Sequence, residues 1–240
     1  MDVPRVILVP CLRDNYAYLV VGAGELALVV DPSEAAPVRE ALRREGLSLA
    51  GILCTHHHWD HVGGVAELCD EHATLPVFAH AIDAVRIEGR VTPIADDEHH
   101  ELAGLDVHAL HVPGHTMGAL AYRIGDALFT GDTLFAAGCG RLFEGDAATM
   151  HASFLRLGAL DDATRVYCGH EYTEANLRFA AWAEPASQAI AEKLAWACAE
   201  RALGRATLPS TLASERATNP FLRAANAAEF ARLRTAKDSF

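Results

Sequence analysis

The sequence predicts an α/β protein, with a strand-dominated body, helices set between the strands, and a short helical C-terminal part. Three observations carry this. Over roughly the first 170 residues, short apolar runs are cut by Gly, Pro and Asp, as strands are. Amphipathic stretches separate some of these runs. After Tyr172 the composition turns Ala-rich and poor in β-branched residues, which favours helix.

In chain order, the strand-like runs are RVILVP, YAYLVVG, LALVVD, AGILCTH, LPVFAH, VHALHVPGH, ALAYRIG, ALFTGD and RVYCGHE. Helices are expected over residues 34–45, where Val38, Leu42 and the alanines share a face, and over 62–72 and 147–158. Residues 173–203 read as two helices divided near Pro185, because proline breaks a helix interior. RATLPSTLASERATNPF reads as a loop-rich connection and AANAAEFARLRTAK as a last helix. The expected division is a catalytic body over 1–172 and a helical, substrate-binding part over 173–240.

Composition bounds the function. The formal net charge is −12, which repels phosphate backbones, so no nucleic-acid partner is expected. The N-terminal MDVPRVILVPCLRDNY has neither a basic segment nor a long apolar one, and does not resemble a signal peptide. No apolar run approaches the ~20 residues of a membrane span, so no membrane partner is expected. Cys11, Cys54, Cys69, Cys139, Cys168 and Cys198 show no C-x-x-C spacing, and most sit beside apolar residues. A cytoplasmic, monomeric chain with reduced thiols is expected.

The chemistry concentrates in THHHWDH, residues 55–61. The apolar run GILC delivers this stretch at the end of a strand. If the chain there stays extended, His56, His58 and Asp60 share one side, while His57 and Trp59 point elsewhere. His61 then opens a helix that bends back toward the same region. His57 is left outside the ligand set as a supporting or packing residue. The spacing H-x-H-x-D-H suggests two ions rather than one. One loop cannot close two sites, since zinc-like ions take four or more ligands. Further candidates follow a strand and a glycine in the same way: His115 after VPG, Asp132 after FTG, and His170 after YCG. Strand ends converging on one sheet edge would gather them. His72, His80, His99, His100, His108, His111 and His151 lack this context and are expected at surface or structural positions.

THHHWDH, PGHT, FTGDT and CGHEYT resemble, in order across residues 55–173, the successive metal motifs of the metallo-β-lactamase superfamily. Within it, GCGRLFEG (138–145), CGHEYT, NPFLR (219–223) and the terminal RTAKDSF resemble the glyoxalase II, or hydroxyacylglutathione hydrolase, family. The resemblance covers nearly the whole chain and implies a four-layer αββα sandwich with a dinuclear site at one edge. It implies that His56, His58 and His115 hold one ion, that Asp60, His61 and His170 hold the other, and that Asp132 bridges them. The catalytic carboxylates would then be Asp60 and Asp132, beside a water that two divalent ions acidify. Zinc suits this donor set best, and iron or manganese is compatible with it.

The implied reaction is hydrolysis of S-D-lactoylglutathione to D-lactate and glutathione, a step of methylglyoxal detoxification. The thiolate leaving group needs little protonation, because a thiol pKa is ~8.5. No G-x-S-x-G motif competes as a nucleophile. The glutathione pocket is implied at Arg141, Phe143, Tyr172, Arg234 and Lys237. Phe143 stands where some members of the family carry Tyr, so a hydroxyl contact is missing there. Another hydrolase of the same fold, or a persulfide dioxygenase, remains an alternative. A dioxygenase with a single iron would not need all seven ligands.

Overall fold

The computed structural model describes residues 3–71 and 74–240. The first sheet takes β1 (Arg5–Cys11), β2 (Asn15–Val21), β3 (Leu26–Val30), β4 (Ser48–Leu53), β5 (Val77–His80) and β6 (Thr92–Ile94) in that spatial order. It is antiparallel from β1 to β3 and parallel from β3 to β6. The second sheet draws on β7 (His99–Leu102), β8 (Leu105–His111), β9 (Leu120–Ile124) and β10 (Ala127–Gly131). Past the short ribbon of β11 (Leu134–Phe135) and β12 (Gly138–Cys139), it is completed by β13 (Arg165–Cys168) and β14 (Ser210–Thr211). Its spatial order is β14-β13-β10-β9-β8-β7.

The sheets pack face to face, and the side-chain alternation of each strand divides its residues between two cores. Tyr16, Tyr18 and Val20 of β2 meet Val107, Tyr122, Phe129 and Tyr167 in the layer between the sheets. Ala17 and Leu19, on the opposite face of β2, pack with Val38 and Leu42 of α1 (Ala35–Glu45) and with Val65 and Leu68. Central strands buried on both faces explain why runs such as YAYLVV are apolar throughout instead of alternating. On the outer face of the second sheet, Leu128 and Val166 pack with Phe154 and Leu157. The result is the expected αββα sandwich.

The remaining helices are α2 (Trp59–Val62), α3 (Val65–Glu71), α4 (Ala81–Ala84), α5 (Ala147–Gly158), α6 (Thr173–Ala183), α7 (Gln188–Ala202), α8 (Leu212–Thr218) and α9 (Ala227–Asp238). The expected helix over 62–72 differs. It begins at Trp59, so Asp60 is helical rather than extended, and it breaks at Gly63–Gly64. A side chain on Gly64 would come within 2.8 Å of Pro32 O, so the break seats this segment against the loop after β3. His72 lies outside the described residues. The strands β6 and β7 carried no apolar signal, because an edge strand such as β7 buries little of either face. The connection after Arg205 also holds more order than its composition suggests, namely β14 and α8. No helix among the described residues is long and apolar enough to cross a membrane.

The C-terminal helices are joined to the body rather than merely tethered. The strand β14 extends the second sheet, and Phe230 of α9 packs its ring 5.1 Å from that of Phe154 of α5. Phe230 is fully buried. Phe230→Ala is expected to cost about 3–5 kcal/mol of unfolding free energy, measured by urea denaturation with a single transition. A loss below about 1 kcal/mol would contradict a shared core between the tail and the body.

Candidate metal centre and active site

Five chain segments leave their strands at the same edge of the sandwich. Asp31 follows β3, residues 55–61 follow β4, His115 follows β8, Asp132 follows β10 and His170 follows β13. Two glycines permit the close approach. Gly131 sits at φ +47°, where a side chain would meet Thr55 Oγ1 at 2.2 Å. A side chain on Gly169 would meet His61 Cε1 at 2.5 Å and Asp132 Oδ1 at 2.6 Å.

All seven sequence-predicted ligands converge in two groups. In the first, His58 Nδ1 lies 3.1 Å from His56 Nε2 and 3.0 Å from His115 Nε2. In the second, Asp60 Oδ2 lies 3.8 Å from His61 Nε2 and 3.5 Å from His170 Nε2. The donor atoms of each group fall within 4.8 Å of one another. Asp132 stands between the groups. Its Oδ2 is 3.5 Å from His115 Nε2 and 3.4 Å from His170 Nε2, and its Oδ1 is 3.3 Å from His61 Nε2. Asp60 therefore joins His61 and His170 instead of sharing a side with His56 and His58, because the helical turn of α2 rotates it away.

The hydrogen bonds on the far side of each ring decide what these nitrogens can do. Thr55 Oγ1 donates to Asp31 Oδ2 at 2.6 Å, so it accepts from His56 Nδ1 at 3.0 Å. His61 Nδ1 donates to Asp31 Oδ2 at 2.9 Å, His115 Nδ1 to the carbonyl of Arg141 at 2.9 Å, and His170 Nδ1 to Asp14 Oδ1 at 2.9 Å. Each of these four rings thus keeps its proton outward and turns a lone pair inward, as metal-binding histidines do. The inward lone pairs of His61, His115 and His170 face the carboxylate oxygens of Asp132 at 3.3, 3.5 and 3.4 Å, acceptor against acceptor, which repels unless a cation lies between them. His61 Nε2 and Asp132 Oδ1 are also buried without a hydrogen-bond partner. These residues fit divalent cations.

Electrostatics separates the two groups. Burial, with the neighbouring His61, holds His56 well below the ordinary histidine range. Burial, with His115 and His57, lowers His58 to about 4, and burial lowers His115. Burial is the largest influence on His61 and His170 and would lower both, but the charge and hydrogen bonding of Asp132, joined by Asp31 at His61 and by Asp14 at His170, together outweigh it and raise both. Against its own burial, Asp132 is held well below the usual carboxylate range by His61 and His170. A divalent cation held by these residues would take the place of the protons that Asp132 otherwise attracts to the two rings.

A cavity of about 740 Å³ opens from His58, Asp60, His115, Asp132 and His170 toward Arg141, Phe143, Tyr172, Arg234 and Lys237. The Phe143 ring stands edge-on to His58 and His115, at 5.5 and 5.2 Å. Tyr172 stacks on His170 at 4.6 Å. Burial and then the charge of Asp14 push its phenol up to about 12, so it remains an O–H donor. Lys237 is lowered to about 8 by burial and by Arg234. Arg234 lines the same cavity but turns much of its guanidinium to the protein. Its Nη1 donates to the carbonyl of Cys139 at 2.7 Å and its Nη2 to Asp238 at 2.9 Å, so it braces the wall of the cavity.

The sequence reading passed over Asp31, Asp14 and Thr55. Asp31 follows the run LALVV as Asp132 follows ALFTG, but without the glycine that singled out Asp132, so its signal was weaker. Asp14 lies in a turn with no such signal. Asn15, also unflagged, donates to the carbonyl of Asp60 at 2.9 Å and to its Oδ2 at 3.2 Å.

Comparisons with known proteins agree with this architecture. The metallo-beta-lactamase superfamily matches residues 12–170, and the hydroxyacylglutathione hydrolase C-terminus matches residues 171–240. The chain is 50% identical to a hydroxyacylglutathione hydrolase of Alkalilimnicola ehrlichii, over 92% of this chain and 86% of that one. It is 44% identical to one of Ruegeria pomeroyi, over 98% and 99%. Among solved structures, ETHE1 from Myxococcus xanthus superposes with a TM-score of 0.73 at 24% identity, covering 98% of this chain and 90% of its own. TTHA1623, crystallised in a di-iron-bound form, gives 0.64 at 29% identity, covering 92% and 100%. With the metal-binding cluster at the sandwich edge and a tail matched by the family's own C-terminal segment, this chain belongs to the hydroxyacylglutathione hydrolase family of the metallo-β-lactamase superfamily.

Proposed function

We propose that this chain hydrolyses S-D-lactoylglutathione, and related S-(2-hydroxyacyl)glutathiones, to the 2-hydroxy acid and glutathione, with two divalent cations as cofactors. The observation that carries the reading is the shared cavity, in which inward-turned imidazoles meet cations suited to a carboxylate-bearing ligand. His56, His58 and His115 would hold one ion, Asp60, His61 and His170 the other, and Asp132 would give an oxygen to each. Zinc is the first choice, with iron or manganese compatible, and the di-iron form of TTHA1623 supports a two-ion site. When bound, such ions supply an acidified water and polarise the thioester carbonyl.

The protein's own residues do the rest. The outward hydrogen bonds fix the rings of His56, His61, His115 and His170 so that these four need no reorientation on loading. Phe143 stands edge-on beside His58 and His115 of the first group, and Tyr172 presents a neutral phenol beside His170 of the second. Arg141 and Lys237 face the cavity as cations in a protein of net charge −12, which makes a focused anion site. The thiolate leaving group departs without a dedicated acid, because its pKa is only ~8.5.

Asp132→Ala removes an oxygen from both ions. Turnover of S-D-lactoylglutathione is expected to fall at least ~10²-fold, and elemental analysis should give fewer than two ions per chain. A kcat above half of wild type would overturn the bridging role.

Lys237→Ala removes a charge-assisted contact worth about 1.5–3 kcal/mol, so KM should rise about ten- to hundredfold with kcat little changed. A small thioester without glutathione's carboxylates should show no such rise. An unchanged KM on the glutathione substrate would remove Lys237 from the pocket. Because burial lowers Lys237 to about 8, its cation is present below that pH and lost above it. The kcat/KM of wild type should therefore decline above about pH 8 in a way that Lys237→Arg, whose charge persists, does not. Parallel profiles for the two proteins would refute this origin of the decline.

A further inference from the structure

We propose that Asp83 is a positioning residue for the first ion, clamping together the two loops that carry His56, His58 and His115. The inference rests on the two-ion reading above and goes beyond it.

Asp83 lies in α4, remote in sequence from both loops, and is fully buried. A buried carboxylate is costly unless it is well used. A single oxygen of Asp83 serves both loops. Its Oδ2 accepts from the backbone N–H of His57 at 3.1 Å and from Thr116 Oγ1 at 3.0 Å. His57 stands between His56 and His58, and Thr116 directly follows His115. His57 Nδ1 also lies 3.1 Å from the same oxygen, a contact without hydrogen-bond geometry, so the middle histidine of THHHWDH is held against Asp83 through its backbone N–H. The chain at Gly118 comes so near that a side chain there would meet Asp83 Oδ1 at 2.3 Å.

The same short segment reaches the substrate loop. Arg86 N donates to the carbonyl of Asp83 at 2.9 Å, and the Arg86 side chain pairs with Glu144. Glu144 Oε2 accepts from Met117 N at 2.7 Å. Residues 83–86 thus tie the 56–58 loop, the 115–118 loop and the loop bearing Phe143 into one unit. The second ion's residues have other anchors, namely Asp31 for His61, Asp14 for His170 and Asn15 for Asp60. Asp83 therefore acts on one ion and not on the other.

The test is a Zn²⁺ titration of the metal-free full chain against a chromophoric chelator, with histidine ring ¹⁵N shifts showing which rings are loaded. Wild type should take up two ions. In Asp83→Ala, one ion should bind about 10–100-fold more weakly and the other within about threefold of wild type, as loss of a supporting partner predicts. The rings that stay unloaded should be His56, His58 and His115. Asp83→Asn keeps an oxygen acceptor and should recover most of the loss. If Asp83→Ala does not fold, Thr116→Val removes one of the two donors and should weaken the same ion by a smaller factor. Wild-type affinities for both ions in Asp83→Ala would overturn the proposal. So would equal weakening of both ions in whichever variant folds, or a loss in Asp83→Asn as deep as in Asp83→Ala. A wild-type chain that takes up a single ion would overturn the two-ion reading, and this inference with it.

Discussion

Asp31 is the fixed point of the site. This buried carboxylate, at φ +50°, ends β3 and accepts three hydrogen bonds, from Thr55 N at 2.7 Å, Thr55 Oγ1 at 2.6 Å and His61 Nδ1 at 2.9 Å. Through Thr55 it sets the proton on His56, and directly it sets the proton on His61. One residue of each of the two groups is thereby oriented by the same carboxylate. A lone buried carboxylate would be expensive, but one that accepts three donors in a low-dielectric setting is held in a single geometry.

The sandwich supplies what Asp31 cannot. Strands of two different sheets must end at a common edge for His170 and Asp132 to meet residues 56–61, and the packed layer between the sheets fixes that alignment. Tyr18 shows the coupling, since its ring packs on Phe129 and Tyr167 while its hydroxyl donates to the carbonyl of Cys168 at 2.5 Å, two residues before His170. Packing and site geometry are thus one structure rather than a scaffold with a graft.

The substrate end is built differently. The carbonyl of Arg141 holds His115 while the Arg141 side chain faces the cavity, so the loop that lines the cavity also orients a ring of the histidine cluster. Arg234 anchors α9 to β12 from behind, and Lys237, one turn further along, reaches Asn176 and lies 5.2 Å over the Phe179 ring. The two basic residues share a helix face yet have unequal tasks: one is spent on backbone carbonyls, and the other keeps its charge at the cavity. Burial, and then the neighbouring charge of Arg234, depresses Lys237 to about 8.

The sequence by itself determined which residues could carry chemistry. H-x-H-x-D-H after a strand, and His or Asp after strand-plus-glycine exits, identified all seven residues that converge, because strand exits and close glycine approaches are local features. Local periodicity also placed most strands and the helices α1, α5, α6, α7 and α9. Only the tertiary structure decided the grouping of those residues, since Asp60 turns toward His170 through a helical turn that ends at Gly63–Gly64, where the chain packs against the β3–α1 loop. It alone separated Arg234 from Lys237, because which carbonyls a guanidinium can reach is a matter of a neighbouring strand. It alone revealed Asp31, Asp14 and Asp83 as partners of ring nitrogens and loop amides. Their roles come from hydrogen bonds to residues as much as 156 positions away, and spacing along the chain carries no record of those.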